Sequence, residues 1–133
     1  MWWIAPLLII IAGMLNATMD ALKVRFKTSI FQDWKGQQWI NPAISWHTKW
    51  GIDTKIFGKQ INIVDKIMST VLVWVTDMWH LAKMLMLVCI SLAIVLYIPV
   101  FAFWLDALIL YCLFTITFEI FFSRILIKKT PKI

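Results

Sequence analysis

Two long apolar stretches, 84–100 and 101–127, follow one another with Pro99 at their junction and almost no solvating residue between them. A hydrocarbon layer of about 30 Å is crossed by roughly 20 apolar residues rising about 1.5 Å each. Two such helices in tandem exceed what a soluble domain of 133 residues can enclose. The fold class to expect is an all-α integral membrane protein. Composition agrees, with 62% hydrophobic residues and a mean hydropathy of +0.82.

A third apolar stretch lies at the start of the sequence, from Trp2 and Trp3 to about residue 19. Pro6 is compatible with a helix there, because a first turn has no intrahelical N–H bond to lose. The expectation is a retained helix rather than a cleaved signal peptide. No basic residue leads the apolar run, and Trp2 and Trp3 have the character of interfacial anchors. Asn16-Ala17-Thr18 matches a glycosylation sequon but falls inside the apolar span, out of reach of that chemistry.

The chain therefore reads as one membrane domain, 1–133, with three transmembrane helices. Their spans are 2–19, 67–99 with its membrane-crossing part at about 80–99, and 101–127, with an interfacial loop over about 20–66. The apolar run 67–75 is too short to cross a bilayer alone. It reads as a cytoplasmic extension of the second helix, or as a re-entrant or interfacial segment. The formal charge of +6 is concentrated in 23–66 and in the tail bearing Lys128, Lys129 and Lys132. The positive-inside rule then places the N-terminus outside the cell membrane, the loop inside, the turn at Pro99 outside and the C-terminus in the cytoplasm. A fourth span would separate the two basic regions.

The loop carries Phe31, Trp34, Trp39, Trp46, Trp50 and Phe57 among Lys, Gln, Asn and Gly. Asn41-Pro42 is a turn signal, and Gly36, Gly51 and Gly58 interrupt long helix. Trp beside Lys is the composition of a membrane-surface layer, in which rings sit among headgroups and ammonium groups reach phosphates. A Trp-rich, cytoplasmic-side interfacial loop is expected, with Trp46, Lys49 and Trp50, together with Lys83 and Arg124, contacting lipid headgroups. The competing reading is a loop that closes over a site or docks a partner. Nucleic acid is not an expected partner, since the basic residues flank apolar spans and alternate with aromatics.

Polar residues in or beside the spans are few: Asn16, Asp20, Asp77, His80, Lys83, Asp106, Glu119 and Arg124. Charge at membrane depth costs several kcal/mol unless it is paired or hydrated. If the last two helices form an antiparallel hairpin about Pro99, Glu119 falls level with His80, and Arg124 within a turn of Asp77. Asp77, His80 and Lys83 are spaced by three and share a face. The expectation is a polar layer near the cytoplasmic end, within reach of Asp20. It reads either as an ion-paired collar that fixes helix register, or as a site in which His80 exchanges protons beside Asp77 and Glu119. Asp77, His80 and Glu119 also offer one imidazole and two carboxylates to zinc or iron, with His47 as a fourth ligand if the loop folds back. No cofactor is specified.

Asp106 stands apart, nearer the outer side, either placed near the interface or hydrogen-bonded across the bundle to Ser91. Gly13, Ala17 and Ala21 recur every four residues, the small-residue spacing that lets helix backbones approach closely. That stripe suits packing on the hairpin or a contact between copies. Cys89 and Cys112 fall at similar depth, yet two thiols in hydrocarbon imply no disulfide framework. No Gly-rich phosphate loop, nucleophile elbow, His-x-x-x-His or Cys-x-x-Cys occurs.

Ser45-Trp46-His47-Thr48-Lys49-Trp50, preceded by Asn41-Pro42 and followed by Thr76-Asp77-Met78-Trp79-His80, resembles a family of small membrane proteins of bacteria and their phages. With Met19-Asp20, the resemblance covers roughly the first two thirds of the chain. It implies that Asp20, Trp46, Lys49, Asp77 and His80 act together, and it implies no particular activity. Two function classes follow from the residues. One is a non-enzymatic membrane component, holin-like or a scaffold or assembly subunit, whose partners are membrane lipids, copies of itself or other membrane subunits. The other is a small membrane-embedded enzyme acting on a lipid or headgroup through His80 and Asp77. A proton-coupled transporter stands third, because three spans enclose a pore only as an oligomer.

Overall fold

The computed structural model of the protein describes residues 1–49 and 77–128. Over these residues the chain is helical, and its one β feature is an isolated bridge. In order come α1 (Ile4–Lys23), two short 3-10 turns (Phe26–Thr28 and Ile30–Asp33), α2 (Gln37–Ile40), α3 (Pro42–Lys49), α4 (Met78–Val95) and α5 (Phe103–Ile120). A π-helical segment, Phe121–Leu126, continues α5. Three helices, namely α1, α4 and α5 with its extension, are long and apolar enough to cross a membrane.

The helix limits differ in detail from those expected. The first helix runs past residue 19 to Lys23, whose ammonium suits the negative end of the helix dipole. Asp77 is extended, at φ −151° and ψ 158°, so α4 starts at Met78 rather than continuing a helix through Asp77. It ends at Val95, ahead of the turn at Pro99, and α5 resumes only at Phe103. The segment 67–76, Trp50 and the tail residues Lys129 and Lys132 lie outside the described residues.

α1 is the central helix. Of the residues in the apolar stretch of each span, 33% are buried in α1, 11% in α4 and 6% in α5 with its extension. Ala5, Ala12, Gly13, Ala17 and Ala21 are all buried on α1. A methyl group built on Gly13 would lie 2.8 Å from the Phe114 carbonyl oxygen and 3.3 Å from Thr117 Cβ, so the small-residue stripe is taken up by α5. On α4, the small buried residues are Ala82 and Ala93. α1 packs along both α4 and α5, while α4 and α5 do not pack along each other. The antiparallel hairpin expected about Pro99 keeps its turn, but its two helices pack chiefly on α1 rather than on each other.

One end of the bundle is tied together by long-range contacts. Ala17, Ala21 and Leu22 of α1 form a core with Phe31, Ile40 and Leu126, flanked by Met78, Trp79, Phe118 and Phe122. Ser29 pairs with Ile127 in the antiparallel bridge, and the Lys128 N–H donates to the Thr28 carbonyl at 2.8 Å. Ser29 is fully buried, with its hydroxyl donating to the Phe26 carbonyl at 2.8 Å. The stretch after α1, the start of α4 and the end of α5 therefore share one end. At the other end, Trp2 and Pro6 border the Tyr97–Phe101 turn.

That turn is closed by Asp106. Its carboxylate accepts the Tyr97 hydroxyl at 2.6 Å and the backbone N–H groups of Val100 at 3.0 Å and Phe101 at 3.2 Å. Ser91 is not its partner, because a local acceptor role at the start of α5 already uses the carboxylate.

Candidate functional site

The polar centre of the described structure is Asp77 with His80, at the start of α4. Asp77 is the N-cap: its Oδ1 accepts the His80 backbone N–H at 2.8 Å, satisfying one of the open donors of the first turn. The same carboxylate receives His80 Nδ1, at 2.8 Å to Oδ1 and 2.7 Å to Oδ2. Asp77 is only 5% exposed, and burial of a carboxylate requires such partners. His80 is half-buried. With two carboxylate oxygens facing Nδ1, the ring proton is assigned to that nitrogen, and in the neutral ring Nε2 carries the basic lone pair. A carboxylate that sets the tautomer and direction of an imidazole is the arrangement on which general bases are built.

Trp79 is a hub beside this pair. Its ring stands edge-on to the His80 imidazole, with centroids 4.8 Å apart at 78°. Lys23 Nζ, from the end of α1, lies 5.8 Å from the indole centroid, and Lys83 Nζ, one turn along α4, lies 5.2 Å from it. Both are within cation–π range. The site is thus assembled from two helix ends, with Trp79 also packed against the buried core.

Of the five groups expected in one layer, Asp77 and His80 are the two in direct contact. Asp77 and His80 come together as their spacing suggests, and Lys83 is directed to Trp79. Glu119, on α5, and Arg124, in the π-helical segment, are exposed, and Asp20 is half-buried. Among the described residues Asp77 is hydrogen-bonded to His80, and Lys128 forms an ion pair with Asp33. α4 and α5 each pack chiefly on α1 rather than on each other. Glu119 is not a ligand alongside Asp77 and His80: no group of three or more His, Cys, Asp or Glu residues suited to a metal gathers among the described residues. Cys89 and Cys112 are free thiols. Trp46, His47 and Lys49 fall on the α3 backbone.

Two residues escaped the sequence reading. Lys23 joins Trp79, and its only trace in the sequence is that a last-turn lysine of one helix and the first turn of another meet at the same bundle end. Tyr97 joins Asp106, signalled by an acidic residue in the first turn of the helix that follows Pro99. Comparisons with protein-family models, with characterised proteins and with solved structures find no match for this chain.

Proposed function

We propose that the protein is a non-enzymatic component of a cell membrane, holin-like or acting as a scaffold or assembly subunit. Its N-terminus lies outside and its C-terminus in the cytoplasm, and its partners are lipids and further membrane subunits, copies of itself included. The observation that carries this reading is the uncovered apolar surface of α4 and α5. Leu87, Val88, Ile94 and Val95 on α4, and Leu108, Tyr111 and Ile116 on α5, are exposed. In water each such side chain forfeits roughly 1.5–3 kcal/mol relative to burial, and a contiguous surface of this kind calls for hydrocarbon or another helix. A stable three-helix unit with two open flanks suits assembly within a bilayer. Trp34 and Trp39, both exposed, would then lie at headgroup level.

Reconstitution of the purified chain into dye-loaded vesicles tests it. Holin-like assembly produces dye release that rises more steeply than linearly with protein-to-lipid ratio, alongside cross-linked dimers and higher species. A scaffold produces the cross-links without release. A strictly monomeric chain with no leakage at any ratio removes both forms of the proposal.

A second reading is favoured by one specific observation, the buried carboxylate that orients His80. It casts the protein as a membrane-embedded enzyme acting on a lipid or its headgroup, with Nε2 as acid or base. Such a role also needs a nucleophile or metal, and among the described residues no group of three or more His, Cys, Asp or Glu suited to a metal gathers.

A further inference from the structure

Beyond the Asp77–His80 pair, the strongest unassigned feature is a set of cations at the end of α1. An open cavity of about 300 Å³ is lined by Lys23, Val24, Arg25, Phe26, Lys27 and Thr28. Lys23, Arg25 and Lys27 are exposed, and none has a carboxylate partner among the described residues. Lys23 of this cavity also lies 5.8 Å from the Trp79 ring centroid, and Lys83 from α4 lies 5.2 Å from the same centroid. Three cations within five residues, Lys23, Arg25 and Lys27, line the one cavity and repel one another. An anion seated there would offset that repulsion and accept charge-assisted hydrogen bonds from several donors at once.

We infer that the Lys23–Thr28 cavity, with Trp79 beside Lys23 and Lys83 beside Trp79, binds the phosphate of an anionic phospholipid headgroup. The inference rests on the membrane reading above, since it takes this bundle end to lie at headgroup depth. The geometry favours a lipid over free phosphate. Phe26 packs against the core and Val24 is 69% exposed, so the cavity pairs cations with an apolar wall where acyl chains begin. Indole and ammonium side by side at a helix end are the groups that partition to the interface. Flexible lysines and one arginine fit a phosphodiester approached from solvent better than they fit a buried, desolvated ligand.

The test uses the full chain in a neutral detergent, titrated with phosphatidylglycerol or phosphatidylcholine, with bound lipid counted by native mass spectrometry. The expected result is about tenfold tighter retention of phosphatidylglycerol, as each basic residue near such a surface contributes appreciably. The combined change Lys23→Gln, Arg25→Gln, Lys27→Gln brings the two lipids to near parity. Lys83→Gln weakens the preference part of the way, and Lys35→Gln leaves it unchanged. Should the triple variant lose its helical circular dichroism, Lys83→Gln and the charge-keeping Arg25→Lys decide the matter by the same ratio. Equal retention of both lipids by the unmodified chain overturns the inference. So does an equal loss in Lys35→Gln, which marks a diffuse basic surface, or displacement of the lipid by equimolar inorganic phosphate. Resistance of the chain to carbonate extraction from membranes is scored separately, so failure of lipid selectivity is distinguishable from failure of membrane residence.

Discussion

Gly13 of α1 faces the main-chain carbonyl of Phe114 on α5 so closely that a methyl group in place of its hydrogen would stand 2.8 Å from the oxygen. Backbone cannot move aside as a side chain can, so the α1–α5 contact exists only because this position has no Cβ. Gly13→Ala should lower stability by roughly 1–3 kcal/mol, the usual range for overpacking a close contact, with Gly13→Leu worse. Met14→Ala, at a neighbouring exposed position, should be nearly neutral. Thermal unfolding in detergent measures all three. Equal midpoints for Gly13→Ala and the unmodified chain would show that α5 does not pack where described.

The Tyr97–Asp106 pair should hold the turn between α4 and α5. Asp106→Asn leaves one amide oxygen to serve three donors, whereas Tyr97→Phe removes a single donor, so the first should destabilise more than the second. Accepting the phenolic hydrogen bond, the Asp106 carboxylate also holds Tyr97 above its ordinary pKa of 10.0. The stabilisation is then complete below that ordinary value and is lost as pH rises through the raised one. Ultraviolet titration of phenolate formation checks this. In Asp106→Asn the Tyr97 titration should move down toward the ordinary value, and an unchanged curve counts against the pair.

Asp77 serves both the helix start and His80, and substitutions separate the two roles. Asp77→Ala removes the cap and should cost about 0.5–2 kcal/mol. Asp77→Ser keeps a capping oxygen, so stability should stay close to that of the unmodified chain although His80 loses its carboxylate. Under the non-enzymatic proposal, His80→Gln and Asp77→Ser retain vesicle leakage and cross-linking within about twofold, because the amide can still hydrogen-bond. Folded variants that abolish a cellular phenotype while leaving both assembly readouts intact would favour the enzymatic reading instead.

Topology can be read by labelling single cysteines after replacing Cys89 and Cys112. Lys27→Cys, Lys35→Cys and Lys128→Cys should react only with reagent admitted to the cytoplasm, and Val100→Cys only with reagent outside. The bridge between Ser29 and Ile127 requires positions 27 and 128 to report the same side whatever the absolute orientation. Labelling of those two from opposite sides would break the three-span arrangement.

Three apolar helices, the turn at Pro99 and the kinship of Asp77 with His80 were legible from the residues alone, because each depends on local chemistry. Hydrophobic length is additive along the chain, proline acts on its own backbone, and a spacing of three places two side chains on one helical face. The order in which helices lie side by side is not local. Reflection about Pro99 carries no information on azimuth, so it cannot say whether Glu119 and Arg124 face Asp77 and His80, and both are exposed. Only tertiary packing decided that Gly13 and its alanine neighbours, rather than the chain-adjacent helix, lie against α5, because close backbone approach rewards the narrowest helix surface wherever it occurs in the sequence. The same packing set the end of α1 against the start of α4, and so brought Lys23 to Trp79 across more than fifty intervening residues.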